Sequence, residues 1–278
     1  MSRPAGGAVP HDVETPRRIF GRFGIESLDE DPVAATTVMS MCVAGMTNPF
    51  TGAATVGPLA ILVDAASGLA NHLRRNPDEW SVSSELSLEL SPDGAALATA
   101  DPDVPVIADA RVLGPKGSSS LSFCTLSCAG TIIGGATVRS YYLSADRVVG
   151  NRVSDTLIRT PYTPLSELMA VEVTPSNDGR RVLRQLTDPV LYNDVGIVHG
   201  GVSSAGLELA ASAVISDDGS PLRTASVRVN FLRPFMAGEC SRYEAAPLRI
   251  GRGTAVADAQ AIDDMGRVAL TARVTAYR

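Results

Sequence analysis

The sequence has few cysteines, few aromatic residues, no excess of basic charge and no long apolar run. Its four cysteines, Cys42, Cys124, Cys128 and Cys240, form no CxxC pair. That pattern argues against a metal centre of the zinc type and against a disulfide framework, so small buried thiols are the expectation. Aromatic residues make up 5% of the chain although 45% of it is hydrophobic, so the core must be built mainly from alanine, valine and other aliphatic residues. Acidic residues outnumber basic ones 30 to 24, for a formal net charge of -6. No nucleic-acid partner is expected, because phosphate binding calls for a basic surface. No apolar run approaches the ~20 residues that span a bilayer, and "MSRPAGGAVPHDVETPRR" lacks the apolar core of a secretion signal. A cytoplasmic protein with no membrane partner is therefore expected.

What the sequence does contain is a repeat. In "GTAVADAQAIDDMGRVALTARVTAY", Gly253 precedes Gly266 by thirteen residues, and in "GSSSLSFCTLSCAGTIIGGATVRSYY", Gly117 precedes Gly130 by the same thirteen. Tyr277 and Tyr141 then follow at equal distances, and each unit reads as strand, tight turn, strand. Val268, Leu270, Ala272, Val274 and Ala276 alternate with polar residues, the period of two of a sheet with one buried face. A second pair of segments matches as well. Setting Gly52 and Gly57 of "NPFTGAATVGPLAILVDAASGLA" against Gly196 and Gly201 of "NDVGIVHGGVSSAGLELAASA" places Asp64 opposite Glu208. The strands "SSELSLELSP" and "SVRVNFLRP" follow, with a Pro/Asp/Gly-rich loop, "DGAALATADPDVP", in the first half only. The reading is a duplication: a tail at 1–24, flexible or docked as a helix, one unit at 25–150 and a second at 151–278.

The segment after His199 is small on nearly every side and carries no charge except Glu208. An ordinary surface helix has a charged face, and glycine in an exposed helix costs about 1 kcal/mol relative to alanine. The simplest account is a helix wrapped by a curved antiparallel sheet. The fold class is then α+β, with two antiparallel sheets each wrapped around a long central helix. A carboxylate there loses hydration and is costly unless donors hold it. Glu208 either pairs with an arginine between the halves or does chemistry, and the matching Asp64 favours chemistry.

His-Gly-Gly with a carboxylate nine residues after the histidine and Asn193 six residues before it, together with "VNFLRP", resembles the hotdog-fold acyl-CoA thioesterases. The pattern is nearest to the phenylacetate-pathway (PaaI-like) and 4-hydroxybenzoyl-CoA types, in a tandem, double-hotdog form. The resemblance implies metal-free hydrolysis of acyl-CoA at a site between the units, with no cofactor beyond the coenzyme A of the substrate. Glu208 would be the nucleophile or general base, and the Gly200 N–H would bind the thioester oxygen. Asn193 and His199 would sit beside the carbonyl, though His199 could simply cap the loop. Gly201 and Ser212 would line the substrate. Arg233, Arg249 and Arg252 could bind phosphate or be surface arginines. In the first half Thr55, Val56 and Gly68 replace His199, Gly200 and Ser212, so Asp64 marks a second site, an altered one or a relic. An enoyl-CoA hydratase or dehydratase and a non-catalytic acyl-CoA-binding protein stay open as alternatives. Open sheet edges also allow a homo-oligomer.

Overall fold

A computed structural model describes residues 17–150, 153–176, 179–216 and 222–278. The first unit contains α1 (Arg17–Phe23), β1 (Glu26–Asp31), β2 (Thr36–Met41), α2 (Pro58–His72), β3 (Glu79–Leu90), α3 (Gly94–Ala98), β4 (Val106–Leu113), β5 (Ser119–Cys128) and β6 (Thr131–Ser144). The second contains α4 (Leu165–Leu168), β7 (Val171–Thr174), β8 (Arg181–Gln185), α5 (Gly200–Ile215), β9 (Arg223–Phe231), β10 (Arg242–Ile250), β11 (Thr254–Ile262) and β12 (Val268–Tyr277). Each unit is thus two strands, a long helix and four more strands.

The sheet order is β1-β2-β4-β5-β6-β3-β9-β12-β11-β10-β8-β7, every pairing antiparallel. Read outward from the centre, the two halves are mirror sequences of equivalent strands, as duplication requires. The expectation of two separate sheets is corrected here. β3 and β9 pair directly, Leu86 with Val229 and Leu88 with Val227, and make one continuous twelve-stranded sheet. Their pairing removes two edges that would otherwise carry unpaired N–H and C=O groups. The outer edge strand β1, "ESLDED", is acidic along its length, a feature that discourages further strand addition.

The equivalent turn glycines, Gly130 and Gly266, both take positive φ, +76° and +75°, which lets the hairpins turn tightly without a Cβ clash. The helices α2 and α5 pack on the buried face of their own strands and against each other. Ala255, Ala257, Ala259 and Ala261 on β11 are all buried. Alanine on this face and small residues on α5 allow the close approach that the low aromatic content foreshadowed.

Of the two alternatives for the tail, the docked helix forms: α1 closes it, with Ile19 and Phe23 fully buried, while residues 1–16 lie outside the described residues. Arg22 of α1 is buried against the second unit, bonding Asp155 at 2.7 Å and Asp188 at 2.8 Å, which is why this end is docked. The segment "DGAALATADPDVP" contains α3 rather than loop alone. Of the cysteines, Cys124 and Cys128 are buried as expected, but Cys42 is half-buried and Cys240 is exposed in the turn before β10.

Candidate active site

His199 is the N-cap of α5, and Gly200 and Gly201 are its first residues. The first N–H groups of a helix lack intrahelical partners and carry partial positive charge. Gly201 donates its N–H to Asp64 Oδ2 at 2.6 Å and, more weakly, to His199 Nδ1 at 3.2 Å. The other Asp64 oxygen accepts from Ser83 Oγ at 2.6 Å. His199 Nδ1 stands 3.4 Å from Asp64 Oδ2. Burial lowers the His199 imidazole below its ordinary value, and the Asp64 charge offsets this only in part. His199 is therefore neutral near pH 7, and because Nδ1 accepts from Gly201, its Nε2 carries the proton. A Cβ at Gly200 would press on side chains, 2.8 Å from Asp64 Oδ2 and 3.1 Å from the Phe231 ring.

The mirror arrangement forms at the start of α2. Thr55 Oγ1 accepts from the Gly57 N–H at 3.2 Å and donates to Glu208 Oε2 at 2.9 Å. Thr224 Oγ1 donates to Glu208 Oε1 at 2.6 Å. Asn48 Nδ2 bonds Ser212 Oγ at 3.0 Å and the Leu209 carbonyl at 2.8 Å. Burial pushes the Glu208 carboxyl up, while the hydroxyls of Thr224, Thr55 and Ser212 pull it down. Each acid thus faces the N-terminus of the other unit's helix.

That crossing corrects the grouping expected from sequence. Asn193, His199 and Gly200 gather around Asp64, not around Glu208, whose neighbours are Asn48, Thr55, Ser212 and Thr224. The reason is helical rise. Nine residues along one helix place Glu208 about 13 Å from the cap, whereas the antiparallel neighbour α2 brings Asp64 to it. Glycines stand at this helix contact: a Cβ on Gly201 would lie 2.7 Å from Ile61 Cα, and one on Gly57 2.8 Å from Glu208 Oε2. Gly201 is therefore consumed by packing and by the Asp64 bond rather than left open for substrate. Asn193 uses its Oδ1 to accept from Val195 and Ile197 N–H within its own loop. Sequence reading missed Ser83 and Thr224 as partners of the acids. Ser83 on β3 and Thr224 on β9 pair with equivalent residues, Ser140 and Ala276, so the repeat could have flagged them.

Three cavities border these groups. A narrow one of about 70 Å³ runs from Asn193, His199 and Gly200 past Asp64 and Gly68 to His72 and Trp80. It shares Val82, Ser83, Asn193 and Gly200 with a groove of about 730 Å³ that is largely apolar and carries Arg147 and Arg233. Glu208, Ser212 and Thr55 line a separate cavity of about 430 Å³, covered partly by Ala95 of α3 and by Thr99. Arg252, in the β10–β11 turn, lines none of the three. Among the described residues no group of three or more His, Cys, Asp or Glu side chains is placed to hold a metal ion. No described helix is long and apolar enough to cross a membrane.

His72 is neutral as well. Burial, with a smaller push from Arg75, brings its imidazole down to about 3 from 6.5. The unfolded chain then binds a proton that the native state refuses, so stability falls as pH drops from about 6.5 toward 3. At about 1.4 kcal/mol per pH unit, the loss from His72 between pH 6.5 and 5 is about 2 kcal/mol. Urea unfolding at pH 7.5 and pH 5 should show a His72→Leu variant losing about that much less than the parent. An identical loss in both proteins would contradict the assignment.

Residues 189–277 match the family model described as the acyl-CoA thioesterase N-terminal domain, which here falls on the second unit. A search of curated proteins returned no match. Among solved structures, the chain is similar to a tesB protein of Mycobacterium avium subsp. paratuberculosis, with a TM-score of 0.62 at 12% identity, covering 94% of this chain and 98% of that one. It is also similar to acyl-CoA thioesterase II TesB2 of Mycobacterium marinum, with a TM-score of 0.56 at 13% identity over 93% and 97% of the two chains. A protein of unknown function with the hot dog fold from Alicyclobacillus acidocaldarius gives a TM-score of 0.53 at 10% identity over 93% and 97%. The molecule has the hotdog fold, and its residues 189–277 match the acyl-CoA thioesterase domain family.

Proposed function

We propose that this protein hydrolyses acyl-CoA thioesters without a metal, at the seam where Asp64 of the first unit meets the His199–Gly200 cap of the second. The observation that carries the reading is the Asp64 carboxylate beside a helix N-terminus, at a point where a narrow cavity opens into a long apolar groove. The Gly200 N–H, which makes no hydrogen bond among the described residues, receives the thioester oxygen. A preorganised donor of this kind is worth about 3 kcal/mol in the transition state. Asp64 takes the proton from a water that adds to the carbonyl carbon; the carbon–sulfur bond then breaks, and coenzyme A leaves and is protonated. Short hydrogen bonds to both Asp64 oxygens hold the carboxylate in one orientation beside the cap. The groove takes the pantetheine arm, with Arg147 and Arg233 offering charge-assisted donors to phosphate. A His-Gly-Gly cap that faces an acid follows the phenylacetate-pathway and 4-hydroxybenzoyl-CoA pattern.

Glu208 is the second, equivalent position. Its frame of Thr55, Thr224 and Ser212 is complete, but Val56 puts a side chain where Gly200 leaves the helix end bare. The test is free-thiol release from a panel of acyl-CoAs by the parent, Asp64→Asn and Glu208→Gln. Glu208→Gln is expected to lose less than tenfold in kcat/KM. Release that survives Asp64→Asn and disappears in Glu208→Gln would move the reaction to the second cavity, and no release from any acyl-CoA would reject hydrolysis.

A further inference from the structure

The narrow cavity has a polar far end that hydrolysis itself does not need. Asp64, Ala65, Gly68, Leu69 and His72 form one stripe of α2 along its wall. Gly68, which stands where the other half has Ser212, leaves the stripe open between the acid and the histidine. At the end, His72 is 6% exposed, its Nδ1 lies 2.8 Å from Ser81 Oγ, and its Nε2 has no hydrogen-bond partner. Trp80 packs edge-on against the imidazole with centroids 4.5 Å apart and fixes the ring. A buried polar atom left unpaired costs about 1–3 kcal/mol, so such atoms in native proteins usually meet something.

Building on the hydrolytic reading above, we propose that this cavity holds the acyl group and that His72 Nε2 hydrogen-bonds a hydroxyl near the end of the acyl chain. A hydroxyl is the group that satisfies either tautomer. If Nδ1–H donates to Ser81, Nε2 accepts from the hydroxyl; if Ser81 donates to Nδ1, Nε2–H donates to it. The low imidazole pKa supports a neutral acyl terminus over a carboxylate, because His72 itself would not be protonated to pair with a charge buried against it.

Length follows from the helix. Eight residues from Asp64 to His72 rise about 12 Å. Allowing roughly 3 Å at each end for the reacting water and the hydrogen bond, the hydroxyl stands roughly 6 Å from the thioester carbon. An extended chain advances roughly 1.2 Å per bond, so five or six bonds separate them.

The test compares ω-hydroxyhexanoyl-CoA with heptanoyl-CoA, in which a methyl group replaces the hydroxyl, and with adipoyl-CoA, in which a carboxylate replaces the hydroxymethyl group. The parent should favour the hydroxyacyl substrate over heptanoyl-CoA by at least about tenfold in kcat/KM, mostly through KM, and should be slowest on adipoyl-CoA. His72→Leu should bring the hydroxyl-to-methyl ratio close to one, and His72→Gln, which keeps a donor and an acceptor, should restore part of it. Hydrolysis of all three by the parent without that preference, or fastest hydrolysis of adipoyl-CoA, overturns the acyl-hydroxyl site while leaving thioester hydrolysis standing. A preference that persists in His72→Leu overturns it too. No hydrolysis of any acyl-CoA removes both readings together. The parent's own ratio decides the point even if a variant fails to fold.

Discussion

Asp64→Asn should lower kcat/KM on the best acyl-CoA by about 10²–10⁴-fold, the usual contribution of a positioned general base. The substitution is well suited to isolate that role. The asparagine carbonyl oxygen can still accept from Gly201 N–H or from Ser83, so the junction between α2 and α5 keeps most of its bonds. His199 stays neutral through burial and does not depend on the aspartate for its state. What disappears is the ability to take a proton from water. Steady-state thiol release, with circular dichroism and a melting curve to confirm the fold, measures the effect. A variant that folds like the parent and loses less than fivefold would show that Asp64 merely caps α5.

Gly201→Ala should destabilise the protein by about 3 kcal/mol, the upper end of ordinary overpacking. The added Cβ would sit 2.7 Å from Ile61 Cα and 2.9 Å from the Ala60 carbonyl oxygen. Both are backbone atoms of α2, so the neighbour cannot swing aside as a flexible side chain would, and the helices must separate. Separation pulls Asp64 away from the cap, and activity should fall with stability. Gly200→Ala differs in kind. Its Cβ meets the Asp64 carboxylate and the Phe231 ring, both side chains. It should cost little in denaturant midpoint and much in kcat/KM. Equal stability losses at the two neighbouring glycines would contradict this division between packing and chemistry.

Much of the architecture is legible in the residues. Alternation in "VALTARVTAY" gives a strand, and its equivalent spacing from a turn glycine in both halves gives the duplication. The small, nearly uncharged stretch after His199 is the buried helix α5. Composition also foreshadows the alanine-faced sheet. Three things are not legible. The partner of each sheet edge is one: β3 and β9 are edges within their own units, and only their mutual pairing makes one sheet. The docking of α1 is another, since Arg22 finds its acids at residues 155 and 188, far along the chain. The third is the use of His72: its spacing of eight from Asp64 does not fit the Asp–His pair of a hotdog hydratase, and only the folded chain shows a cavity that both line.

The sequence alone determined that the chain is doubled, that an acid stands at the same point of each long helix, and that one helix begins with a bare His-Gly-Gly cap. Those are local and periodic features, carried by residue size, charge and spacing. Tertiary structure alone decided which acid meets which cap. Gly201 and Asp64 lie 137 residues apart, and their contact depends on two antiparallel helices crossing at glycines. No period along the chain encodes that distance; it follows from how closely the two backbones can approach once both helices are wrapped by one sheet.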